Sequence, residues 1–449
     1  MSDRFVVLGL ARSRERWFSE LVRWSTSAVI PIEYIKCLTA DEARAVIGSG
    51  RRLSAVLIDA GISRLDRELI ALTTSIGAAT LVVIDPTVHR DWDGLGCAAT
   101  LPPGFGPDDL LEALTRHARP VDRSTRRTSS VSLSTGVDIA PCPLVGVAGP
   151  GGTGASTVAM ALAQGVARTQ PEPAVALADG ARSADMAMYH DVGDVIPGLP
   201  ELVEAHRTDQ PDPDEIRRLL FSIEDRRYHL LLGQRRSKDA AAMRPRSIAA
   251  AIAGLRRSFD LVIVDHDADL DGEAETGSVD IEDRHSLSRT TATTADLIIL
   301  VGRPGVKGVS DMIRLVDRYA DLGVPRDRLV PVVNLAPRNP ATRAMTTRTL
   351  AELTRPVDGS GTRCATPLFV RNVHGLEEVH RSAALLPDAL TNPITRAVRR
   401  LLLEVGSRST TDAAPGTRVR PGELATFDGG GRHLRPGVTH HRSDRSDVA

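Results

Sequence analysis

The stretch "LVGVAGPGGTGASTVAMALAQGVA", residues 144–167, sets Gly149, Gly151, Gly152 and Gly154 between an apolar run and an alanine-rich run. Glycines at such spacing let successive backbone N–H groups converge on an anion, and a helix that follows adds its positive N-terminal end. The chemistry this suits is phosphate binding. Ser156 stands where a first-turn hydroxyl could hold Mg²⁺, with Thr157 behind it and Thr153 inside the turn. The pattern Gly149-x-x-x-x-Gly154-Ala155-Ser156 follows the phosphate-loop spacing at every position except one. Ala155 replaces the lysine whose charge would meet the phosphates.

No nearby residue type replaces that charge directly. The lysines are Lys36, Lys238 and Lys307, so none lies within the loop or the run after it. Arg182 is the nearest arginine to the segment following the next apolar run, and its planar fork is a poor substitute for a point charge packed beneath a loop. The acid-rich insert "HDADLDGEAETGSVDIEDRHS" reads as a loop, and its carboxylates do not follow the twelve-residue spacing of a calcium loop. Cys37, Cys97, Cys142 and Cys364 form no CxxC pair and lack histidine partners at metal-ligand spacing, which excludes a disulfide framework and fits a reducing cytoplasm. The formal net charge of −1 argues against a strong field for nucleic acid.

The elements that must position these residues fall into two series. The 449 residues are enough for two or three folded units. Over 5–117, apolar runs such as "RFVVLGL", "SAVLIDAG" and "ATLVVIDP" alternate with helical patterns, the signature of a parallel α/β sheet. Residues 120–143 are rich in Ser, Thr, Arg and Pro and read as a linker. A second series occupies 144–405, with strands expected at "AVALAD", "YHLLLG", "FDLVIVD", "ADLIILVG", "RLVPVVN" and "TPLFV". Residues 406–449 lack apolar periodicity and read as a disordered tail. No apolar run approaches the roughly 20 residues that span a bilayer, and the N-terminal apolar run reads as a first strand rather than a leader.

The residues "GPGGTGAST" resemble the deviant phosphate-loop motif of the MinD/ParA ATPases. Along the second series, "FDLVIVD" resembles that family's acidic strand, with Asp265 at the metal position, and "LVPVVN" resembles the strand that ends in a base-contacting asparagine, here Asn334. Residues 366–370 resemble the strand and loop that close the base pocket. The order of the two series is similar to the CpaE/TadZ proteins of Tad pilus systems and to actinobacterial septum-site-determining (Ssd) proteins. The resemblance implies a doubly wound P-loop NTPase-like domain. Its nucleotide site, for ATP or ADP with Mg²⁺, would use Gly149, Gly151, Gly152, Thr153, Gly154, Ala155, Ser156, Thr157 and Asn334, with Ser156 and Asp265 on the metal.

Three departures bear on turnover. The family's signature lysine falls at Pro150, its loop lysine at Ala155, and its water-positioning aspartate at Ala181. No catalytic residue is assigned. Phosphoryl transfer rests on positioning and electrostatics, and an arginine finger alone is worth roughly 10³ to 10⁵ in rate, so the losses imply slow hydrolysis.

The first series, residues 1–119, resembles a response-regulator receiver of flavodoxin-like fold, with Asp59 at the phosphoacceptor position. Gly9 and Leu10 stand where an acidic pair would bind Mg²⁺. Pro102 replaces a lysine, and Asp85 replaces the hydroxyl residue that reports phosphorylation. A docking role is expected instead. The implied function is positioning of a pilus or secretion machine or of the division septum, in the cytoplasm at the pole, septum or inner membrane face. Its partners would be proteins of those machines, with a homodimer allowed, no specific nucleic acid, and membrane contact peripheral at most. The alternative is an active MinD/ParA-type ATPase switch in cell division or chromosome partitioning. A basic stripe of Arg396, Arg399 and Arg400, opposite Ile394 and Val398, reads as the solvated face of a docked helix.

Overall fold

The computed structural model describes residues 4–27, 29–62, 65–121, 142–172, 174–193, 196–236, 243–356 and 362–411, with side chains to 404. The first series is β1 (Phe5–Leu10), α1 (Arg16–Thr26), β2 (Ile32–Cys37), α2 (Ala40–Gly48), β3 (Ala55–Asp59), α3 (Arg67–Ser75), β4 (Ala79–Val83), α4 (Trp92–Leu95), β5 (Ala99–Leu101) and α5 (Pro107–His117). Its five strands lie in the order β2-β1-β3-β4-β5, with every pairing parallel. β3 and β4 are buried at every residue, as strands covered by helices on both faces must be.

The second series runs β6 (Leu144–Ala148), α6 (Ala155–Ala167), β7 (Val175–Gly180), α7 (Met186–Tyr189), α8 (Leu199–Thr208), α9 (Pro213–Arg218), β8 (Phe221–Ile223), β9 (Tyr228–Leu231) and α10 (Pro245–Ser258). It continues through β10 (Leu261–His266), α11 (Glu273–Thr276), α12 (Val279–Thr294), β11 (Leu297–Gly302), α13 (Val306–Asp321), β12 (Leu329–Ala336), α14 (Pro340–Leu353), β13 (Leu368–Arg371), α15 (Leu376–Arg381) and α16 (Asp388–Thr411). The strand order is β13-β12-β11-β6-β10-β7-β9-β8, parallel except for the β8–β9 hairpin at one edge. This is a doubly wound α/β sheet with β6 at its centre. Such sheets bind ligands outside the carboxyl ends of their strands, where the residue 149–154 loop lies.

Helix α6 is buried from Val158 to Ala167 almost without interruption, because its alanines let it sit close to the sheet on one side and to α16 on the other. Gln164 fixes that second contact through both ends of its amide: Nε2 donates to the Leu386 carbonyl (2.8 Å) and Oε1 accepts from the Leu386 N–H (2.9 Å). Ile394 and Val398 of α16 are buried while Arg396, Arg399 and Arg400 are exposed, so the basic stripe is the outer face of a docked helix.

The two sheets meet through α3. Arg67 donates to three carbonyls, those of His206 (2.9 Å), Asp209 (3.3 Å) and Gly94 (2.8 Å). Glu68 Oε1 accepts from the Arg246 and Ser247 N–H groups (2.9 and 3.1 Å), capping the start of α10 from outside its own sheet. Burial raises the Glu68 carboxyl above its ordinary range and lowers the Arg67 guanidinium. Arg207 reaches back to Asp66 at 3.4 Å.

Two expectations need correction. The acid-rich insert is not one loop: it holds α11 and the beginning of α12. The reason it reads otherwise is that the residues α12 buries are His285, Ser286, Leu287, Ser288, Thr291 and Ala292, so small and polar groups occupy positions where large apolar residues would mark a helical period. The final helix does not end at 405 but continues to Thr411. A lone glycine such as Gly406 lowers helix stability by about 1 kcal/mol without stopping it. The linker between 122 and 141, Lys238 and the tail from 412 lie outside the described residues.

Candidate phosphate-binding site

The loop leaves β6 at Ala148 and enters α6 at Ala155, with Gly152 (φ 76°) and Gly154 (φ 87°) in the left-handed region that favours glycine. Gly154 is also required sterically, since a Cβ there would stand 2.5 Å from Asn334 Nδ2. Gly149 lies against the Val301 carbonyl of β11, which a Cβ would strike. Gly151 and Gly152 differ: a Cβ on either meets nothing within 4 Å, so their backbone faces open space. An anion can approach there, at the start of a thirteen-residue helix.

The loop is braced from within and from behind. Thr153 donates its hydroxyl (2.7 Å) and its N–H (3.1 Å) to the Pro150 carbonyl. Asn334, buried at the end of β12, donates from Nδ2 to the Thr153 carbonyl at 2.8 Å and accepts the Leu335 N–H at 2.9 Å. The register of β12 against β13 shifts between Val333 and Ala336, and Leu335 sits at φ 52°. That irregularity turns the asparagine toward the loop. A base contact by Asn334 stays an expectation; its amide also braces the loop, a role that single-residue spacing does not signal.

Ser156 and Asp265 are brought together, the serine hydroxyl donating to the carboxylate. Asp265 on β10 is in register with Asp179 on β7. Both are buried, at 3% and 2% exposure. Burial raises both carboxyls well above the usual range, Asp265 to about 8 and Asp179 to about 7, and each is raised further by neighbouring acids including Asp185 and Asp267. Backbone N–H groups of Met186 and Ala181 pull Asp179 the other way. Two raised carboxylates beside a hydroxyl are a donor set that a hard divalent cation would suit.

Arg182 does not face the loop. Its backbone N–H and Nε both donate to Asp267 Oδ2 at 3.0 Å, and Nη2 reaches Asp269 at 3.2 Å. Arg318 adds a second cation to Asp269 at 3.4 Å. Asp267, Asp269 and Arg318, with Arg314 and Asp311, line a cleft of about 330 Å³ that also touches Gly149, Pro150 and Gly151. Arg182 and the cleft's Arg314 and Arg318 are thus each paired with a carboxylate.

Thr157 meets a residue that sequence reading missed. Its hydroxyl is 3.3 Å from Nε2 of His380 on α15, and the His380 ring packs on Tyr189 with centroids 4.7 Å apart. Behind them lies Arg226, 1% exposed. Its hydrogen-bond partners are neutral: Met160 Sδ, His190, Tyr228 and the carbonyls of Tyr189 and Ala384. An arginine in a polar hairpin turn gives no sequence sign of such burial.

In the first sheet, Asp59 is buried and held by Arg12, whose Nε donates to Oδ2 at 2.8 Å, while Gly61 N–H donates to Oδ1 at 3.0 Å. Pro102, Gly9 and Leu10 bring no charge to this end of the sheet.

No family model matches the sequence, and no curated protein matches it. Among solved structures, the chain is similar to a ParA family ATPase from Chlorobium tepidum TLS, at 15% identity and a TM-score of 0.46, covering 57% of this chain and 98% of that one. It is also similar to the septum site-determining protein MinD complexed with Mg-ADP from Pyrococcus horikoshii OT3, at 16% identity and a TM-score of 0.42, covering 60% and 98%. A third is the MinC:MinD cell division protein complex of Aquifex aeolicus, at 14% identity and a TM-score of 0.41, covering 62% and 99%. Identity at this level leaves the chemistry to be read from this chain's own residues. Among the described residues no helix is long and apolar enough to cross a membrane.

Proposed function

We propose that the chain is a positioning or assembly protein of CpaE/TadZ-like or Ssd-like type, in which a degenerate MinD/ParA-type module holds a nucleotide as a structural ligand and hydrolyses it little or not at all. It acts where a pilus or secretion machine or the division septum is placed, through protein partners. The observation that carries this reading is the combination of an intact loop geometry with, among the described residues, no unpaired cation at it. Gly151 and Gly152 leave room for phosphate oxygens, and Ser156 with Asp265 would hold Mg²⁺. Pro150 and Ala155 supply no charge, and Arg182 is committed to Asp267 and Asp269.

A bound nucleotide with Mg²⁺ would supply the negative charge that orders the loop N–H groups. The chain's own residues orient it: the N–H groups of the loop and of the first turn of α6 bind, while Asn334 keeps the loop in shape from behind. Among the described residues no unpaired cation stands at the loop to compensate charge developing on the transferred phosphoryl oxygens. Nucleotide titration by calorimetry with Mg²⁺, run beside steady-state phosphate release, tests the reading. Weak binding with turnover far below that of a Pro150→Lys, Ala155→Lys variant is expected. Turnover at ordinary ATPase rates with ATP-dependent dimers in the unaltered chain would establish the active-switch alternative.

A further inference from the structure

The hairpin between β8 and β9 sends two neighbouring arginines in opposite directions. Arg227 sits at φ 61°, in the left-handed region that residues with side chains rarely adopt, and its Nη2 lies on the outside against the Gln170 and Pro171 carbonyls at 3.2 and 2.5 Å. Arg226 turns inward. Glu224 and Asp225, the acids of the same turn, are exposed, whereas Arg226 is buried.

The Arg226 guanidinium is held between α6, α7, β9 and the segment joining α15 to α16, and every contact it makes there is neutral. Its Nη1 lies 3.4 Å from Met160 Sδ, 3.3 Å from His190 Nε2 and 3.4 Å from the Tyr228 hydroxyl, while Nη2 donates to the Ala384 and Tyr189 carbonyls at 2.9 and 3.3 Å. Nε has no partner. His190, lowered to about 4 by burial and then by this guanidinium, is uncharged at neutral pH and offers no counter-charge. A cation taken out of water without an opposite charge is strongly destabilising, so its presence asks for an anion.

The charge lies toward the loop. Met160 follows Thr157 by about one turn of α6, which puts the guanidinium behind the first turns of the helix that the loop enters. His380 bridges the remaining distance: its Nε2 lies 3.3 Å from the Thr157 hydroxyl, its ring packs on Tyr189, and its imidazole is lowered by burial and then by Arg226. Between these groups there is packed protein, where a charge is screened far less than in water.

On the reading that the loop holds a nucleotide, we propose that Arg226 is a positioning residue that supplies, from behind α6, the positive charge Ala155 does not supply within the loop, and so favours phosphate at Ser156 and Thr157 without touching it. Such a charge acts on whatever phosphate is bound and gives no donor to a phosphoryl group in transfer. It favours holding the ligand over turning it over.

Calorimetric titration of the full chain with ADP and Mg²⁺ tests this. Arg226→Met and Arg226→Gln should each bind ADP about tenfold more weakly than the unaltered chain, and Arg226→Lys should stay within about twofold of it. Lysine keeps the charge but lacks the planar fork that meets the two carbonyls, so rescue by lysine assigns the effect to charge and not to bracing. Circular dichroism checks the fold, and the glutamine variant serves if the methionine variant does not fold. The proposal is overturned if a folded neutral variant binds ADP as tightly as the unaltered chain, or if lysine is as weak as the neutral variants. Absence of ADP binding by the unaltered chain would instead defeat the nucleotide reading itself, and this proposal with it.

Discussion

Asp179 and Asp265 are register partners on the adjacent parallel strands β7 and β10, so two buried carboxylates stand on one side of the sheet next to the loop. Burial raises both above the ordinary value of 3.8, to about 7 and about 8. The folded chain therefore holds protons that the unfolded chain has released, and stability present below pH 3.8 is lost as pH rises through the folded values. Buried His190, His206 and His266 act in the opposite sense, each lowered from 6.5 to about 4, and cost stability as pH falls between those values. Melting temperature should thus peak near about pH 6.5 and decline toward pH 8. Asp265→Asn should flatten the alkaline decline and steepen the acid limb, where the raised carboxyl no longer offsets the histidines, and millimolar Mg²⁺ should raise stability at pH 8 in the unaltered chain only. An alkaline limb unchanged by Asp265→Asn would place its origin elsewhere.

Asn334 holds the loop through its amide. Asn334→Ala removes the donor to Thr153 and the acceptor for Leu335 at a buried position, an expected loss of about 1–3 kcal/mol in urea unfolding. Asn334→Asp keeps the acceptor but sets a carboxylate against the Thr153 carbonyl, and should lose more. If both variants melt with the original chain, the amide does not clamp the loop.

Arg226 carries a cation into a shell of neutral partners. It also lowers the neighbouring imidazoles, after burial as the larger cause at both His190 and His380. Arg226→Met keeps most of the volume and removes the charge, so both histidines should titrate at higher pH by NMR. Stability should fall by about 1–3 kcal/mol, because the Tyr189 and Ala384 carbonyls lose a charged donor. Histidine titrations that do not move would show that the guanidinium is screened in solution.

The second sheet could be read from the sequence because its strands are continuous apolar runs and its loop is glycine-rich at fixed spacing. Both are local properties. Gly149 and Gly154 lie in the turn between β6 and α6, and Ser156 and Asp265 lie together beside it, for that reason. What stayed hidden depends on contacts between residues far apart in the chain. Thr157 with His380 and Arg226 with Ala384 join segments more than 150 residues apart. Arg12 with Asp59 is the same case in the first sheet, where the vacant positions at Gly9, Leu10 and Pro102 were legible but the arginine that answers for them was not. Helix α12 was missed because it buries serine, threonine and histidine rather than large apolar groups.

Glu68 belongs to one sheet by sequence and to the other by duty, since it closes the open end of α10. Severing the chain between 121 and 142 would therefore not yield two finished halves. The larger piece would begin life with a naked helix end and with the His206 and Asp209 carbonyls stripped of Arg67. The two pieces should instead stay paired through a size-exclusion column, and supplying residues 1–121 separately should raise the yield of folded 142–411. The boundary along the chain and the boundary in space are different boundaries, and inheritance of the loop-bearing module without its neighbour would carry that defect with it.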